Sequence, residues 1–183
     1  MNNLLFLIAL FIATGKVYSQ AVLPLYKNSR DTQGAYYKDT YNDLDKLLGT
    51  WQYSNGTTTL ILILQKRTMQ PFSDGFKEYT EDVIVGEYKY VENGVEKINT
   101  LNLISQNYTD PYDHNIVGNI IVGPNSQYCL NCGPNDRKIL LGFSDPTREI
   151  FGFEPEMIFQ RADEGGVQKL KLNSGQYRVH FRN

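Results

Sequence analysis

From residue 49 to the end of the chain, short apolar runs alternate with turn-forming residues about every ten positions. Within most runs the apolar residues recur at every second position, which is the period of a β-strand with one buried face. Short strands at this regular spacing are typical of a sandwich or a barrel. The pattern predicts about eight or nine strands, at residues 49–54, 57–66, 80–91, 95–105, 116–122, 138–143, 156–161, 167–172 and 177–182.

Two Asn-Gly pairs separate consecutive runs. Asn55-Gly56 lies between the first and second runs, and Asn93-Gly94 lies between the third and fourth. Both residues tolerate positive φ, so each pair predicts a tight hairpin with a type I′ turn. Strands joined in this way favour an antiparallel, up-and-down meander.

The third run changes the parity of its apolar residues. Val83 and Val85 precede Gly86, whereas Tyr88 and Tyr90 follow it. Because a slip of one residue reverses the faces of a strand, we predict a β-bulge or a sharp bend at Gly86. A bend of this kind would help the sheet to curl and close, which removes exposed edges. The predicted fold is therefore all-β, an antiparallel meander that forms a lipocalin-like barrel, which is favoured over a sandwich.

The chain begins with an apolar run at 4–14 that is short for a membrane-spanning helix. Val17 and Ser19 then occupy the −3 and −1 positions of a signal-peptidase site before Gln20 or Ala21. We therefore expect export to the periplasm, the cell surface or the medium, with no membrane span after cleavage. A retained helical anchor is the alternative interpretation.

One short helix is predicted before the first strand. Residues 40–48 begin with a Thr-x-x-Asp arrangement that resembles a capping box, and Leu44, Leu47 and Leu48 share one face. The predicted organisation is a signal peptide at 1–19, an N-terminal arm with the short helix at 20–47, and a single β-barrel domain at 48–183.

The charge of the chain is nearly balanced, with 18 Lys and Arg against 20 Asp and Glu and no long block of like charge. A nucleic-acid partner requires a basic surface, and so does attraction to an anionic membrane. The sequence therefore predicts neither partner.

The first strand opens in a way that resembles the lipocalins and related calycin barrels. A short helical turn is followed by Gly49-Thr50-Trp51. The resemblance implies that Gly49 allows close packing and that Trp51 helps to close one end of the barrel. It also implies a late arginine packed across the tryptophan, with Arg178 and Arg182 as the two alternatives.

A broader stretch is similar to an uncharacterised family of secreted bacterial proteins, known only as a domain of unknown function. The similar residues run from 44 to 53 and from 85 to 96. This resemblance implies export and a compact β-domain, and it implies no catalytic residue and no cofactor.

Cys129 and Cys132 form a C-x-x-C sequence in a loop rich in Gly, Pro and Asn. A redox-active pair normally places its first cysteine at a helix N-terminus, and no helix is predicted after this pair. Structural zinc requires four ligands, whereas the chain has two cysteines. An oxidising destination therefore favours a disulfide within the loop.

Three other groups of polar residues are candidate sites. Asp110, Asp113 and His114 offer metal-binding side chains, but a polar turn begun by Asp110-Pro111 is the favoured interpretation. Arg178, His180 and Arg182 share a strand face that suits either an anion or solvent. Glu154 and Glu156 resemble an acid/base pair only by spacing. Because no nucleophile and base are arranged together, we predict a protein without catalytic residues, metal or cofactor.

Two functions remain open. The first is a barrel that binds a small apolar or amphipathic ligand, and the second is a filled, non-enzymatic interaction or structural domain that meets a surface protein through loops such as 67–78 and 123–136. Small residues such as Gly86, Gly118 and Gly142 would leave space in the lumen. Inward-pointing large side chains would fill it, and those in question are Leu60, Leu62, Leu64, Tyr88, Tyr90 and Phe143.

Overall fold

The computed structural model describes residues 19–26, 29–122, 138–145, 156–162, 169–173 and 177–181. Its strands are β1 (Val22–Pro24), β2 (Tyr36–Lys38), β3 (Gly49–Asn55), β4 (Thr58–Ser73), β5 (Glu78–Glu92), β6 (Val95–Asn99), β7 (Ile116–Val122), β8 (Lys138–Asp145), β9 (Glu156–Arg161), β10 (Lys169–Asn173) and β11 (Tyr177–Phe181). Three short 3₁₀ helices are present, η1 (Leu44–Leu47), η2 (Leu101–Ser105) and η3 (Pro111–Asp113). The all-β prediction is confirmed.

The strands form one 11-stranded sheet with the order β10-β9-β3-β4-β5-β7-β8-β11. The sheet curls into a half-barrel. Strands β3, β4 and β5 follow the predicted meander, but the up-and-down order is wrong after β8. There the chain crosses to the opposite side of the sheet, where β9 pairs with β3. It then returns as β11, which is parallel to β8.

Chain connectivity brings the two ends of this order together. Strand β10 ends at Asn173 and β11 begins at Tyr177, although they lie at opposite ends of the sheet. Four residues of extended chain span at most about 14 Å. The sheet must therefore bend far enough for its terminal strands to approach each other.

Strand β5 is buried on both faces, which explains its change of apolar parity. Ile84, Tyr88 and Tyr90 belong to the main core, whereas Val83 and Val85 belong to a second cluster on the other face. The ladder with β4 is regular through the pair Leu64 and Gly86. A bulge at Gly86 is therefore wrong, because two buried faces produce the same sequence pattern as a slip between faces, and a sharp bend there stays a prediction.

Gly86 instead permits close packing between three strands. A Cβ atom at this position would lie 2.6 Å from Leu64 Cδ2 and 2.8 Å from the carbonyl oxygen of Ile63. It would also lie 3.2 Å from Ile116 Cβ. All three distances are shorter than an ordinary van der Waals contact.

The predicted hairpin turns are present at both Asn-Gly pairs. Asn93 (φ 51°) and Gly94 (φ 76°) form the two-residue loop between β5 and β6 with the positive φ angles of a type I′ turn. In the first hairpin the loop is Gly56-Thr57, because Asn55 pairs with Thr58. Only Gly56 has a positive φ there, 56°, so the angles do not fit type I′.

The run predicted as a strand at 95–105 divides into β6 and η2. Thr100 lies at the division, where its hydroxyl accepts from Tyr88 N (3.2 Å) and donates to Tyr88 O (3.1 Å). The Thr100 side chain thus hydrogen-bonds to both backbone groups of Tyr88 at the point where the chain leaves the sheet.

The predicted helix at 40–48 is replaced by the single 3₁₀ turn η1. Asn42 has a φ of 54°, which is incompatible with a right-handed helix. The carboxylate of Asp39 accepts the backbone N–H groups of Asp43 (2.9 Å) and Leu44 (3.0 Å), a role that the sequence assigned to Thr40. At the other end, Leu48 is already extended, with ψ 147°. Leu44 nevertheless enters the main core, and Leu47 and Leu48 pack against it.

Strands β1 and β2 were missed from the sequence because each has three residues. They pair in parallel with each other, and β2 pairs in parallel with β5 at Tyr36–Thr80 and Tyr37–Glu81. The N-terminal arm therefore extends the sheet. In the part of the chain that the structure describes, no helix is long and apolar enough to cross a membrane.

In the part of the chain that the structure describes, packed side chains fill the inner side of the curled sheet. The main core cluster contains residues from β3 to β10, including Trp51, Phe143 and Leu170. Strands so far apart in the order share one cluster only on the inner side of the curl. The same cluster contains the large side chains that decide whether a lumen exists, and none is more than 9% exposed: Leu60, Leu62, Leu64, Tyr88, Tyr90 and Phe143.

Candidate functional site

A β-bulge changes the direction of side chains in the outer half of the β4–β5 hairpin. Thr68 and Met69 of β4 lie opposite the single residue Asp82 of β5. Met69 has a φ of 53°, and its N–H reaches Asp82 Oδ1 at 3.4 Å. Beyond the bulge Phe72 pairs with Tyr79, so its side chain joins the second core cluster instead of the main core.

Asp82 also holds the N-terminal arm. Its carboxylate accepts from the Tyr36 hydroxyl (2.6 Å) and from the backbone N–H of Asp39 (2.9 Å). Burial and the hydrogen bond to Asp82 raise the pKa of Tyr36 well above its usual range. Lys66 binds Asp39 at 3.1 Å and Asp45 at 2.8 Å. Together these bonds join the arm, β4 and β5 into one rigid support.

A cleft of about 760 Å³ lies where the outer half of this hairpin meets the N-terminal arm and η3. It is open to solvent and lies outside the filled interior. Its lining combines aromatic rings and carboxylates, chiefly Phe72, Tyr79, Tyr112, Glu78, Asp110 and Asp113.

The aromatic rings form a wall of defined geometry. The rings of Phe72 and Tyr79 stack at 6.0 Å and 14°, and Tyr112 meets Phe72 edge-on at 5.7 Å and 85°. Tyr79 also contacts Tyr37 edge-on at 5.5 Å. Burial, followed by the charge of Glu81, raises the pKa of Tyr79, so its phenol stays neutral at physiological pH. Tyr112 remains 55% exposed and presents its ring to the cleft.

The segment 110–114, which the sequence presented as either a metal site or a polar turn, forms the turn η3. Asp110 Oδ1 accepts the backbone N–H of Tyr112 at 2.9 Å, and Pro111 begins the helical turn. Asp110 and Asp113 stay exposed at the cleft, whereas His114 is buried. The three groups therefore diverge. Among the described residues, no group of three or more His, Cys, Asp or Glu side chains is placed to hold a metal ion.

A buried polar cluster anchors η3 to the sheet. Glu87 Oε1 lies 2.9 Å from His114 Nδ1, and Glu87 Oε2 accepts from Asn115 Nδ2 at 2.6 Å. Asn115 N also approaches Glu87 Oε1, at 3.4 Å. Asn115 Oδ1 is buried without a hydrogen-bond partner. Sequence reasoning missed Glu87 and Asn115, since nothing in a strand pattern marks a charged residue whose side chain is buried.

The Gly49-Thr50-Trp51 sequence opens β3, and the packing and barrel-closing roles that its resemblance to calycins implies stay predictions. Gly49 has a φ of 115°, a conformation that L side chains rarely adopt. Trp51 is buried, and its Nε1 donates to the carbonyl oxygen of Leu47 at 2.8 Å. The arginine over its ring is Arg161, at 5.1 Å, from the paired position in β9. Arg161 ends the strand predicted at 156–161, and this position was the one sequence signal that pointed to it.

The structure describes only some of the other predicted residues. Arg178 lies in β11 opposite Gly142, and His180 lies in the same strand. Arg182 lies outside the described residues, so Arg178 and Arg182 as partners of Trp51 stay predictions. Cys129 and Cys132 also lie outside the described residues, as does Glu154.

Comparison with known families gives one match. The sequence model of a family of unknown function (DUF6705) matches residues 1–183, the whole chain. The chain belongs to this family. No curated protein and no solved structure shows significant similarity to it. Membership in the DUF6705 family thus assigns no activity, and the functional argument depends on the geometry of the cleft.

Proposed function

We propose that the protein is an exported, non-enzymatic binding domain that recognises a surface partner through the aromatic cleft. The observation that carries this proposal is the contrast between the two concave regions. The inner side of the sheet is filled by packed side chains, whereas the cleft is open and exposes Tyr112. Aromatic side chains held on a rigid scaffold are common at binding surfaces.

A lipocalin-like carrier function is less favoured. A ligand inside the sheet would have to displace side chains such as Leu62 and Tyr88, which are fully buried. Re-exposing one such side chain costs about 1.5–3 kcal/mol. Association itself costs at least about 4 kcal/mol. The apolar surface that a small ligand buries would be offset by these two costs.

Export is supported by the apolar run at 4–14 and the small residue Ser19 before Gln20. Among the described residues, the first side-chain hydrogen bonds of the N-terminal arm are those of Gln20, whose Nε2 donates to Gly34 O (3.0 Å) and Thr80 Oγ1 (3.3 Å). Cleavage after Ser19 would leave these bonds intact. An oxidising destination would also favour the proposed disulfide between Cys129 and Cys132.

The test uses the protein isolated from its own host, with its mass measured first to establish whether residues 1–19 are removed. The labelled protein is then titrated onto host cell envelopes. We expect saturable binding that is lost in Tyr112→Ala. Tyr41→Ala is the matched control, because Tyr41 is 52% exposed, has a tyrosine neighbour and does not line the cleft.

Two results would refute the proposal. One is envelope binding that Tyr112→Ala leaves unchanged. The other is stoichiometric binding of an apolar fluorophore by the folded wild type, because a filled interior has no room for it. A chain that retains residues 1–19 in the mature protein would refute cleaved export.

A further inference from the structure

The described residues that line the cleft carry charge of one sign. Glu78, Asp110 and Asp113 contribute three carboxylates, and the described residues that line the cleft include no Lys, Arg or His. The remaining polar lining is neutral, from residues such as Gln33 and Thr109. Among the described residues, no cationic side chain forms a salt bridge with any of the three carboxylates.

The aromatic wall is complementary to the same kind of ligand. The face of an aromatic ring carries partial negative charge and attracts ammonium and guanidinium groups. Tyr112 contacts Phe72 edge-on, lines the cleft and is 55% exposed. The cleft thus combines an accessible aromatic ring with carboxylates on the adjoining turn and strand.

We propose that the cleft binds the Lys or Arg side chains of a basic, extended peptide segment, an inference that rests on the function proposed above. The openness of the cleft favours a segment of a larger chain over an enclosed small molecule, because small-molecule sites bury most of their ligand. The ammonium or guanidinium group lies against Tyr112, and its charge faces Asp113 and Glu78.

The experiment measures binding of three probes to the intact wild-type protein by isothermal titration calorimetry. The probes are a tetralysine peptide, butylamine and a neutral N-acetylglucosamine oligomer. We expect tetralysine to bind most tightly, butylamine to bind weakly and the neutral sugar not to bind. The affinity for tetralysine falls steeply between 50 mM and 500 mM salt, because the carboxylates are exposed.

Conservative variants identify the groups involved. Glu78→Gln and Asp113→Asn should each weaken tetralysine binding by about three- to fivefold, the upper range for an exposed ion pair. Tyr112→Leu keeps an apolar side chain but should weaken binding by about two- to fivefold. Glu96→Gln removes the same charge from β6, outside the cleft, and Tyr41→Leu removes a tyrosine of similar exposure, and both should bind as the wild type does.

The outcomes separate this inference from the proposed function. If the neutral sugar binds and loses affinity in Tyr112→Leu, the cleft is a binding site but its cationic specificity is refuted. If tetralysine binds equally to Glu78→Gln, Asp113→Asn and Glu96→Gln, attraction is only to the overall charge and the inference is also refuted. If no probe binds, the cationic inference fails, and the envelope titration with Tyr112→Ala decides the proposed function independently.

Discussion

Gly86 provides a sharp test of how closely the strands pack at the centre of the sheet. The substitution Gly86→Ala adds one methyl group between β4 and β7. That methyl would lie 2.6 Å from Leu64 Cδ2 and 2.8 Å from the carbonyl oxygen of Ile63. Carbon atoms in contact are normally about 3.5–4.0 Å apart, so Leu64 would have to move by about 1 Å.

The cost follows from what surrounds the new methyl. Leu64 is buried in the main core, and Ile63 belongs to the β4–β5 ladder. Overpacking of a core costs about 1–3 kcal/mol, and disturbing a ladder bond costs about 1 kcal/mol more. Replacement of a glycine also restricts the unfolded chain, which returns about 0.4–1 kcal/mol. We expect a net loss of about 2–3 kcal/mol, or a fall in Tm of about 4–12 °C.

Urea unfolding followed by fluorescence of Trp51 measures this loss. A double-mutant cycle then tests its cause, because Leu64→Ala removes the atom nearest to the new methyl. We expect Gly86→Ala and Leu64→Ala to be coupled favourably by about 1 kcal/mol or more. Gly75→Ala is the control, since a Cβ there meets nothing within 4 Å and its cost arises from a φ of 85°. Its effect should be additive with Leu64→Ala. A Gly86→Ala variant as stable as the wild type would refute the packing argument.

Two further predictions concern buried polar groups. Glu87→Leu removes the acceptor for His114 and Asn115, and should cost about 3–5 kcal/mol in urea unfolding. Glu87→Gln should cost only about 1 kcal/mol, because the Asn115 amide can turn so that its unpartnered oxygen accepts from the new amide. Equal losses of unfolding free energy in the two variants would contradict this account. Although burial lowers it, the hydrogen bonds to Asp45 and Asp39 raise the pKa of Lys66 above its usual value. The stabilisation from Lys66 is therefore complete below the unfolded value of about 10.4 and is lost as the pH rises through the folded value. Unfolding free energies measured from pH 9 to 12 should fall more steeply for the wild type than for Lys66→Met, and parallel curves would contradict the assignment.

Much of the sheet was predictable because strand period and turn chemistry are local properties. Each predicted run contains a strand, although the second half of the run at 95–105 is the 3₁₀ helix η2, and the Asn93-Gly94 turn has the expected angles. The order after β8 was not predictable, since pairing of β9 with β3 depends on contacts between residues far apart in the chain. The predicted helix at 40–48 is wrong for a different reason. The backbone N–H groups of Asp43 and Leu44 donate to the carboxylate of Asp39, which lies outside the predicted segment.

The cleft was only partly accessible from the sequence. Asp110 and Asp113 were noticed as a group, but His114 points to Glu87, which comes from another strand. The aromatic wall was missed because Phe72 and Tyr79 belong to an apparently ordinary strand pattern. Their common position depends on a bulge in β4, opposite Asp82, and not at Gly86 of β5, where one was expected.

The bulge opposite Asp82 also bears on how a chain of this design can vary in length. Because Thr68 and Met69 share one partner residue, loss of either would leave a regular ladder with Phe72 still opposite Tyr79. Gain or loss of one residue at this point changes only the bulge. The strand pairing on either side of the bulge keeps its register. Evolution can therefore lengthen or reshape the outer part of the hairpin while the filled interior keeps its register.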